Sequence, residues 1–179
     1  MAAPIPPTTR LVRPDDAAVL SALLRENRES MAPFEPVRPD DWFTEEGQAR
    51  VVADLLRNHD GGTTVPHVVL DDTGAVAGRI TLNNIVRGPF LSCSVGYWVD
   101  AARRGQGLAT AAVAAVKRVA FDDLGLHRVE AGTLLHNVAS QQVLRRNGFV
   151  PFGVARDYLH IGGRWQDHVL FQVLATDPL

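Results

Sequence analysis

The sequence predicts a single-domain α+β protein with a mixed sheet, and three observations carry that prediction. Up to Asp60 apolar side chains recur at helical spacing, and from Thr63 to Val99 they fall at alternate positions. Beyond Val99, helix-like and strand-like segments follow one another singly. Strands first in hairpins, then strand–helix–strand–helix, describe a mixed α/β layout. The domain is expected over residues 9–174, with a proline-rich lead-in over 1–8 and a short tail over 175–179.

Thr9–Arg13 reads as a first strand stopped by Pro14. Asp15 or Asp16 is placed to cap the next helix, whose buried stripe is Val19, Leu20, Leu23 and Leu24 up to about Arg28. Pro33, Pro36 and Pro39 exclude a regular helix over Met31–Asp41 and predict an ordered loop. Thr44-Glu45-Glu46 opens a second helix with stripe Val51, Val52, Leu55 and Leu56, ending near Asp60-Gly61-Gly62. Thr63–Leu70 and Val76–Ile85 form a hairpin about Asp71-Asp72-Thr73-Gly74. Leu91, Cys93, Val95, Tyr97 and Val99 alternate as a further strand. A helix is expected from Gly107 to Leu124, a strand over Arg128–Thr133, and a short helix over Ala139–Asn147 stopped by Gly148. Gly162-Gly163 turns a terminal hairpin between Tyr158–Ile161 and Arg164–Val173.

Composition narrows the function classes. Among 179 residues, 18 basic and 20 acidic side chains give a net charge of −2, which disfavours bulk electrostatic binding of nucleic acid. A single cysteine, Cys93, allows neither an internal disulfide nor a cysteine metal cluster, and it reads as a core thiol on the apolar face. The six histidines show no metal-ligand spacing, so no metal is expected. No apolar run is long enough for a membrane span, and MAAPIPPTTR lacks the pattern of a secretory leader, so a cytoplasmic protein is expected. Residues 1–90 carry 9 Arg against 13 Asp/Glu, and residues 91–179 carry 9 Lys/Arg against 7. An anionic ligand therefore suits the second half and a cationic one the first, unless the split is surface scatter.

The chemistry is concentrated in Tyr97-Trp98-Val99-Asp100-Ala101-Ala102-Arg103-Arg104-Gly105-Gln106-Gly107-Leu108-Ala109-Thr110. A strand ends, a basic glycine-bearing turn follows, and a helix begins on small residues. The unpaired N–H groups of that first turn and the helix dipole favour an anion, and Arg103 and Arg104 add charge at the same end. The alternative is a helix start in which glycines ease a sharp turn. A Walker A loop is absent, and the dinucleotide fingerprint that starts at Gly105 and Gly107 fails at Thr110.

The spelling Arg104-x-x-Gly107-x-Ala109 after a strand resembles the pyrophosphate loop of the GNAT acetyltransferases. Asn137-Val138-Ala139-Ser140 and Asn147-Gly148-Phe149 stand where that family enters and leaves its next helix, and the order of elements agrees over roughly residues 9–174. Glu26-Asn27-Arg28, Pro33-Phe34-Glu35-Pro36-Val37-Arg38, Asn84-Ile85-Val86-Arg87-Gly88, His127-Arg128, Asp157-Tyr158-Leu159 and Gly163-x-Trp165-x-Asp167-His168-Val169-Leu170 resemble the RimJ type of ribosomal-protein alanine N-acetyltransferase. The resemblance implies a GNAT fold: a mostly antiparallel sheet whose central parallel strands splay, flanked by helices. It also implies acetyl-CoA as donor and the N-terminal α-amine of a protein as acceptor, with a ribosomal protein bearing N-terminal Ala or Ser as the expected partner. The acceptor would be met by a monomer or a homodimer.

Residue roles follow from that resemblance. Arg104, Gly105, Gln106, Gly107, Leu108, Ala109 and Thr110 would hold the diphosphate, and Trp98 and Val99 would offer backbone groups to the pantetheine and thioester, unless Trp98 simply covers the sheet. Asn137 would bond the cofactor arm, cap its helix, or both. Ser140 would protonate the leaving thiolate or, alternatively, bond within its own first turn. Some related enzymes carry an acid five residues before the Asn, and Gly132 stands there, so no base transfers by motif. From its place on the strand, on the same face as Gly132 two residues later, Glu130 is instead the candidate base, or else the partner of an arginine. Glu35, in the proline loop, would hold the acceptor's ammonium group or relay its proton, or else be a solvated carboxylate. Trp42, Phe34 and Phe43 either close a core edge or wall the acceptor.

Transfer to an α-amine asks little of a base. Its pKa of about 7.7–8 leaves roughly a tenth neutral at pH 7, against under about a thousandth for a lysine near 10.4. Two other functions stay open on the sequence: acetylation of a small-molecule amine, and a non-catalytic module that binds CoA or assists ribosome assembly.

Overall fold

The computed structural model describes residues 8–177. The lead-in expected over 1–8 lies outside them except for Thr8, as do the last two residues of the expected tail. The chain runs β1 (Thr9–Leu11), α1 (Asp16–Glu26), α2 (Arg28–Met31), α3 (Glu45–Asp60), β2 (Val65–Leu70), β3 (Val76–Val86), β4 (Ser92–Val99), α4 (Leu108–Arg118), β5 (Arg128–Leu134), α5 (Val138–Arg146), β6 (Val150–Ile161) and β7 (Arg164–Leu174). The strands form one sheet in the order β1-β2-β3-β4-β5-β7-β6. Only β4 and β5 run parallel; each other neighbouring pair is antiparallel. A parallel pair needs a crossover, and α4 supplies it.

The sheet buries both faces. Ile80, Leu82, Val95, Ala131 and Phe171 pack with Val113 and Val116 of α4 and Leu144 of α5. On the other face Val68 and Leu70 meet Val12, Leu20 of α1 and Val52 of α3. Each such side chain removed from water contributes about 1.5–3 kcal/mol, enough to fix the helices against the strands.

The predicted elements are present, with informative differences at their ends. Neither Asp15 nor Asp16 caps α1. Asp16 instead accepts two 2.7 Å bonds from the guanidinium of Arg10 and a third from the Arg13 N–H, because a bidentate charged pair outbids a single helix-end amide. Thr44 does cap α3, accepting from Gly47 N–H at 3.0 Å. The proline loop holds a helical turn at each end, α2 and a 3-10 turn over Asp40–Phe43. The helix expected to reach Leu124 changes after Arg118 to a π turn over Val119–Asp123, closed by Leu124 N–H to Val119 C=O at 3.0 Å. The last hairpin is longer than expected, since β6 begins at Val150. Its first residues are largely exposed, so they carried no buried alternation to read.

Candidate active site

The sheet forks in its middle. β4 and β5 pair at Ser92↔Arg128, Cys93↔Val129 and Ser94↔Glu130, and there the ladder stops. Both strands continue, β4 paired to β3 as far as Val99↔Gly78 and β5 paired to β7 as far as Leu134↔His168. From Val95 and from Ala131 onward, the inner edges of the two strands therefore face each other without a ladder. Backbone donors and acceptors there are available to an extended ligand carrying amides of its own. Two residues past the last pair come Gly96 and Gly132. A Cβ on Gly132 would meet Tyr158, His168 and Leu170 at 3.6–3.7 Å, and one on Gly96 only Asn83 at 3.8 Å. Neither strand fills the fork with a side chain at that level.

At the end of β4 a buried polar knot sets the following loop. Asn27 donates from Nδ2 to Asp100 Oδ1 at 3.0 Å and accepts the Ala101 N–H at 2.7 Å, while Asp100 caps the short turn by accepting from Ala102 N–H. Arg103 is committed to the same knot through Asp71 at 3.3 Å, Asp100 at 3.6 Å and the Val76 carbonyl at 3.0 Å. The two arginines expected to act together are thus divided: Arg103 anchors the loop, and Arg104 is exposed beside it.

Gly105 and Gly107 have φ of 78° and 80°, left-handed values that cost a residue with a Cβ about 1–2 kcal/mol. Gly107 is the N-cap of α4 and offers no capping side chain, so the N–H groups of Leu108, Ala109 and Thr110 emerge without intrahelical partners. Apart from adjoining residues of the chain, no heavy atom among the described residues lies within 4 Å of where a Cβ of Gly105 or Gly107 would stand. Arg104, Gly105, Gln106 and Gly107 are exposed, and Leu108, Ala109 and Thr110 half-buried. Open amides at a positive helix end beside an exposed guanidinium fit a diphosphate.

Across the fork, α5 begins at Asn137, whose Oδ1 accepts the Ser140 N–H at 3.2 Å. The capping role expected of Asn137 is therefore present. Ser140 Oγ lies 2.8 Å from Tyr97 Oη, so β4 and α5 touch through two hydroxyl groups. Burial pushes the Tyr97 phenol up to about 12, against the opposing effect of its bond to Ser140. Tyr97 is a residue that sequence reasoning passed over as one more core-facing position; the available signal was a hydroxyl in an otherwise apolar stripe. Asn147 ties the other end of α5 to α4, donating to the Thr110 carbonyl at 3.1 Å.

On the opposite face a cavity of about 210 Å³ lies among Leu24, Met31, Trp42, Phe43 and Trp98, with Glu35, Arg38 and Arg79 in its lining. Trp98 Cα is paired with that of Arg79 across β4 and β3, which brings the sheet into the cavity wall. The proline loop is pegged in place: Ser21 Oγ donates to the Phe43 carbonyl at 2.9 Å and Gln48 Nε2 to the Trp42 carbonyl at 2.6 Å. Gly162, at the tip of the last hairpin, donates its N–H to the Glu35 carbonyl at 3.0 Å. Burial raises the Glu35 carboxyl above the usual range, with Arg38 and Arg79 pulling the other way. Burial also lowers the Arg79 guanidinium, with Glu35 opposing. Trp42 and Phe43 line this cavity, whereas Phe34 points to His136, 5.8 Å between ring centroids.

Glu130 sits at the crotch of the fork, half-exposed, with Arg128 Nη1 4.0 Å away. Arg128 also bonds Gln172. Cys93 is buried, and burial moves its thiol up to about 12, in keeping with a core role. The structure thus gathers Ser140, Asn137 and Tyr97 on one face of the sheet and Glu35, Trp98, Arg38 and Arg79 on the other face, with Glu130 at the closed end of the fork. Among the described residues no hydrogen bond or ion pair links Glu35, Glu130 and Ser140 to one another.

Comparison with known proteins agrees with this geometry. The family model for the acetyltransferase (GNAT) domain matches residues 8–150. A [ribosomal protein uS5]-alanine N-acetyltransferase of Escherichia coli is 34% identical over 169 residues, 94% of this chain and 87% of that protein. The crystal structure of ribosomal-protein-S5-alanine acetyltransferase from Vibrio fischeri superposes with a TM-score of 0.89 at 34% identity, covering 94% of this chain and 93% of its own. Mycobacterium smegmatis RimJ in complex with CoA-disulfide superposes with a TM-score of 0.89 at 32% identity, covering 93% and 81%. With a family match over most of its length, a sheet forked between its two parallel strands and open amides where the following helix begins, the chain belongs to the GNAT acetyltransferases.

Proposed function

We propose that this protein transfers the acetyl group of acetyl-CoA to the N-terminal α-amine of a protein, with a ribosomal protein beginning with Ala or Ser as acceptor. The observation that carries the reading is the fork between β4 and β5, which opens towards the bare amides of Leu108, Ala109 and Thr110. Its relatives named for acetylation of ribosomal protein uS5 alanine supply the acceptor class.

Acetyl-CoA would supply an acyl group activated as a thioester. The loop Arg104–Thr110 holds the diphosphate, its amides donating and Arg104 adding charge. The unpaired edge at Trp98 and Val99 offers backbone groups to the pantetheine arm, and the carboxamide of Asn137 keeps its Nδ2 for that arm while Oδ1 caps α5. The Trp98 ring, in the cavity wall, faces the acceptor. Holding both reactants in this frame replaces a collision by a unimolecular approach, worth several kcal/mol in well-aligned systems.

Ser140 carries the proton for the departing sulfur. With Tyr97, kept protonated by burial, as the donor in its 2.8 Å contact with Ser140 Oγ, the Ser140 hydrogen is free to turn into the fork. Glu130, at the closed end of the fork, takes the proton from the α-ammonium, directly or through water, and the neutral amine then attacks the thioester carbonyl. Glu35 lines the acceptor cavity on the other face. A ribosomal acceptor places the reaction in the cytoplasm.

The test is mass spectrometry of a short Ala-terminated peptide incubated with acetyl-CoA and the protein. The expected product carries one acetyl group on its α-amine. A protein that acetylates only small-molecule amines, or none at all, would overturn the reading.

A further inference from the structure

Arg38 and Arg79, two cationic side chains that line the cavity beside the fork, have no polar partner among the described residues. Arg79 Nη1 and Arg38 Nε are both shielded from solvent, and neither has a hydrogen-bond partner among the described residues. Neither guanidinium enters any of the ion pairs found among those residues. Glu35 lines the same space but lies beyond ion-pairing distance of both. Desolvated donors left unmade are costly, and a charged one more so, which is why they are rare in folded proteins. Here two converge on one cavity.

Their placement is not loose. Arg38 stacks on Trp42, its Cζ 4.1 Å from the ring centroid, and Arg79 springs from β3 opposite Trp98. Arg38 rides on the loop pegged by Ser21 and Gln48; Arg79 is fixed by the sheet. Arg28 also lines the cavity but is paired with Asp40 at 2.6 Å, so Arg38 and Arg79 against one carboxylate leave the cavity net positive even with Glu35 ionised. This local sign is opposite to the net negative charge of residues 1–90, so the general preference of that half for cations does not extend to the cavity.

We propose that Arg38 and Arg79 form a carboxylate subsite that selects acceptors carrying an acidic side chain close behind the terminal amine. The proposal rests on the N-terminal acetylation reading and names a substrate class for that site. The planar forks of two arginines match the two oxygens of a carboxylate, and the apolar wall of Leu24, Met31, Phe43 and Trp98 excludes the water that would screen the pair. An amide of the same size satisfies one guanidinium poorly and carries no charge, so the subsite discriminates Glu from Gln at constant shape.

The experiment uses Ala-terminated peptides with Glu at the second, third or fourth position, each against its Gln twin, all with amidated C-termini. The wild-type protein is expected to favour one Glu peptide by about tenfold or more in kcat/KM, mainly through KM. In Arg38→Gln and in Arg79→Gln that ratio should fall to within about twofold of unity. Arg38→Gln, in a surface loop, keeps the test available if Arg79→Gln fails to fold. Equal use of Glu and Gln at all three positions in the wild type overturns the proposal, as does a preference that survives in Arg38→Gln. An Ala-Ala dipeptide, free acid against amide, separates a chain-end carboxylate from a side chain; discrimination confined to it overturns the side-chain assignment. Acetylation of the Gln peptides at the α-amine keeps the acetyltransfer reading standing when the subsite fails, whereas inertness of every peptide brings down the acetyltransfer reading itself.

Discussion

Tyr97 of β4 and Ser140 of α5 meet through their hydroxyl groups at 2.8 Å, bridging the two sides of the fork next to which the reaction is placed. In the proposed mechanism this contact orients Ser140 as a proton donor beside a phenol that burial keeps protonated. Ser140→Ala is expected to lower kcat by about a hundredfold, within the range for a lost general acid. Tyr97→Phe should cost less, about three- to tenfold, because Ser140 remains. In both variants CoA affinity by calorimetry should hold; a Ser140→Ala protein with full kcat removes the serine from the mechanism.

The loop before α4 is expected to respond to charge and to conformation separately. Arg104→Gln removes the one exposed guanidinium of the loop and should weaken CoA about three- to tenfold, with less loss in high salt. Gly107→Ala forces a Cβ into the left-handed region at the N-cap, at a cost of about 1–2 kcal/mol, and should weaken CoA at all salt concentrations. Titration of CoA at two ionic strengths distinguishes the two effects. Equal salt slopes for wild type and Arg104→Gln would show that Arg104 does not reach the phosphates.

Glu130 is tested by pH. An α-amine of pKa about 7.7–8 is mostly protonated at pH 6 and mostly neutral at pH 9. A base that removes its proton matters most at the acid end, so Glu130→Gln should lower kcat/KM most at pH 6 and converge on wild type by pH 9. A variant with full turnover throughout removes Glu130 as base.

His67 makes stability pH-dependent. Burial lowers its pKa to about 4 from an ordinary 6.5, with the nearby His59 acting in the same direction. The unfolded chain therefore binds a proton near pH 6.5 that the folded protein refuses until about pH 4. The stability associated with a neutral His67 is present above pH 6.5 and is lost as pH falls through that interval. Urea midpoints at pH 7.5 and 5 should differ more for wild type than for His67→Gln. Identical pH slopes would contradict the assignment.

The proline loop depends on a close approach at Gly47. A Cβ there would lie 1.8 Å from the Asp41 carbonyl oxygen, so Gly47→Ala must push the Asp40–Phe43 turn off α3. The expected result is a rise in the acceptor's KM and a stability loss of about 1–3 kcal/mol, with CoA binding retained. Unchanged acceptor kinetics would show that the turn does not shape the cavity.

The elements and the loop motif were legible in the sequence because both are local. Helical and alternating spacings reflect one face of one segment, and Arg104-x-x-Gly107-x-Ala109 needs only its neighbours to expose amides. Asn137 was legible as a cap for the same reason. What the order of residues did not disclose was contact between distant segments. Asn27 joins Asp100 across 73 positions, Tyr97 joins Ser140 across 43, and Arg38 and Arg79 come to share one cavity through packing of the proline loop on β3 and β4. Arg103 and Arg104 look alike in sequence, yet one is tied to Asp71 and the other faces solvent. The physical reason is that spacing along a chain reports which face a side chain takes, whereas its partner, its burial and its charge state depend on which other segment folds against that face.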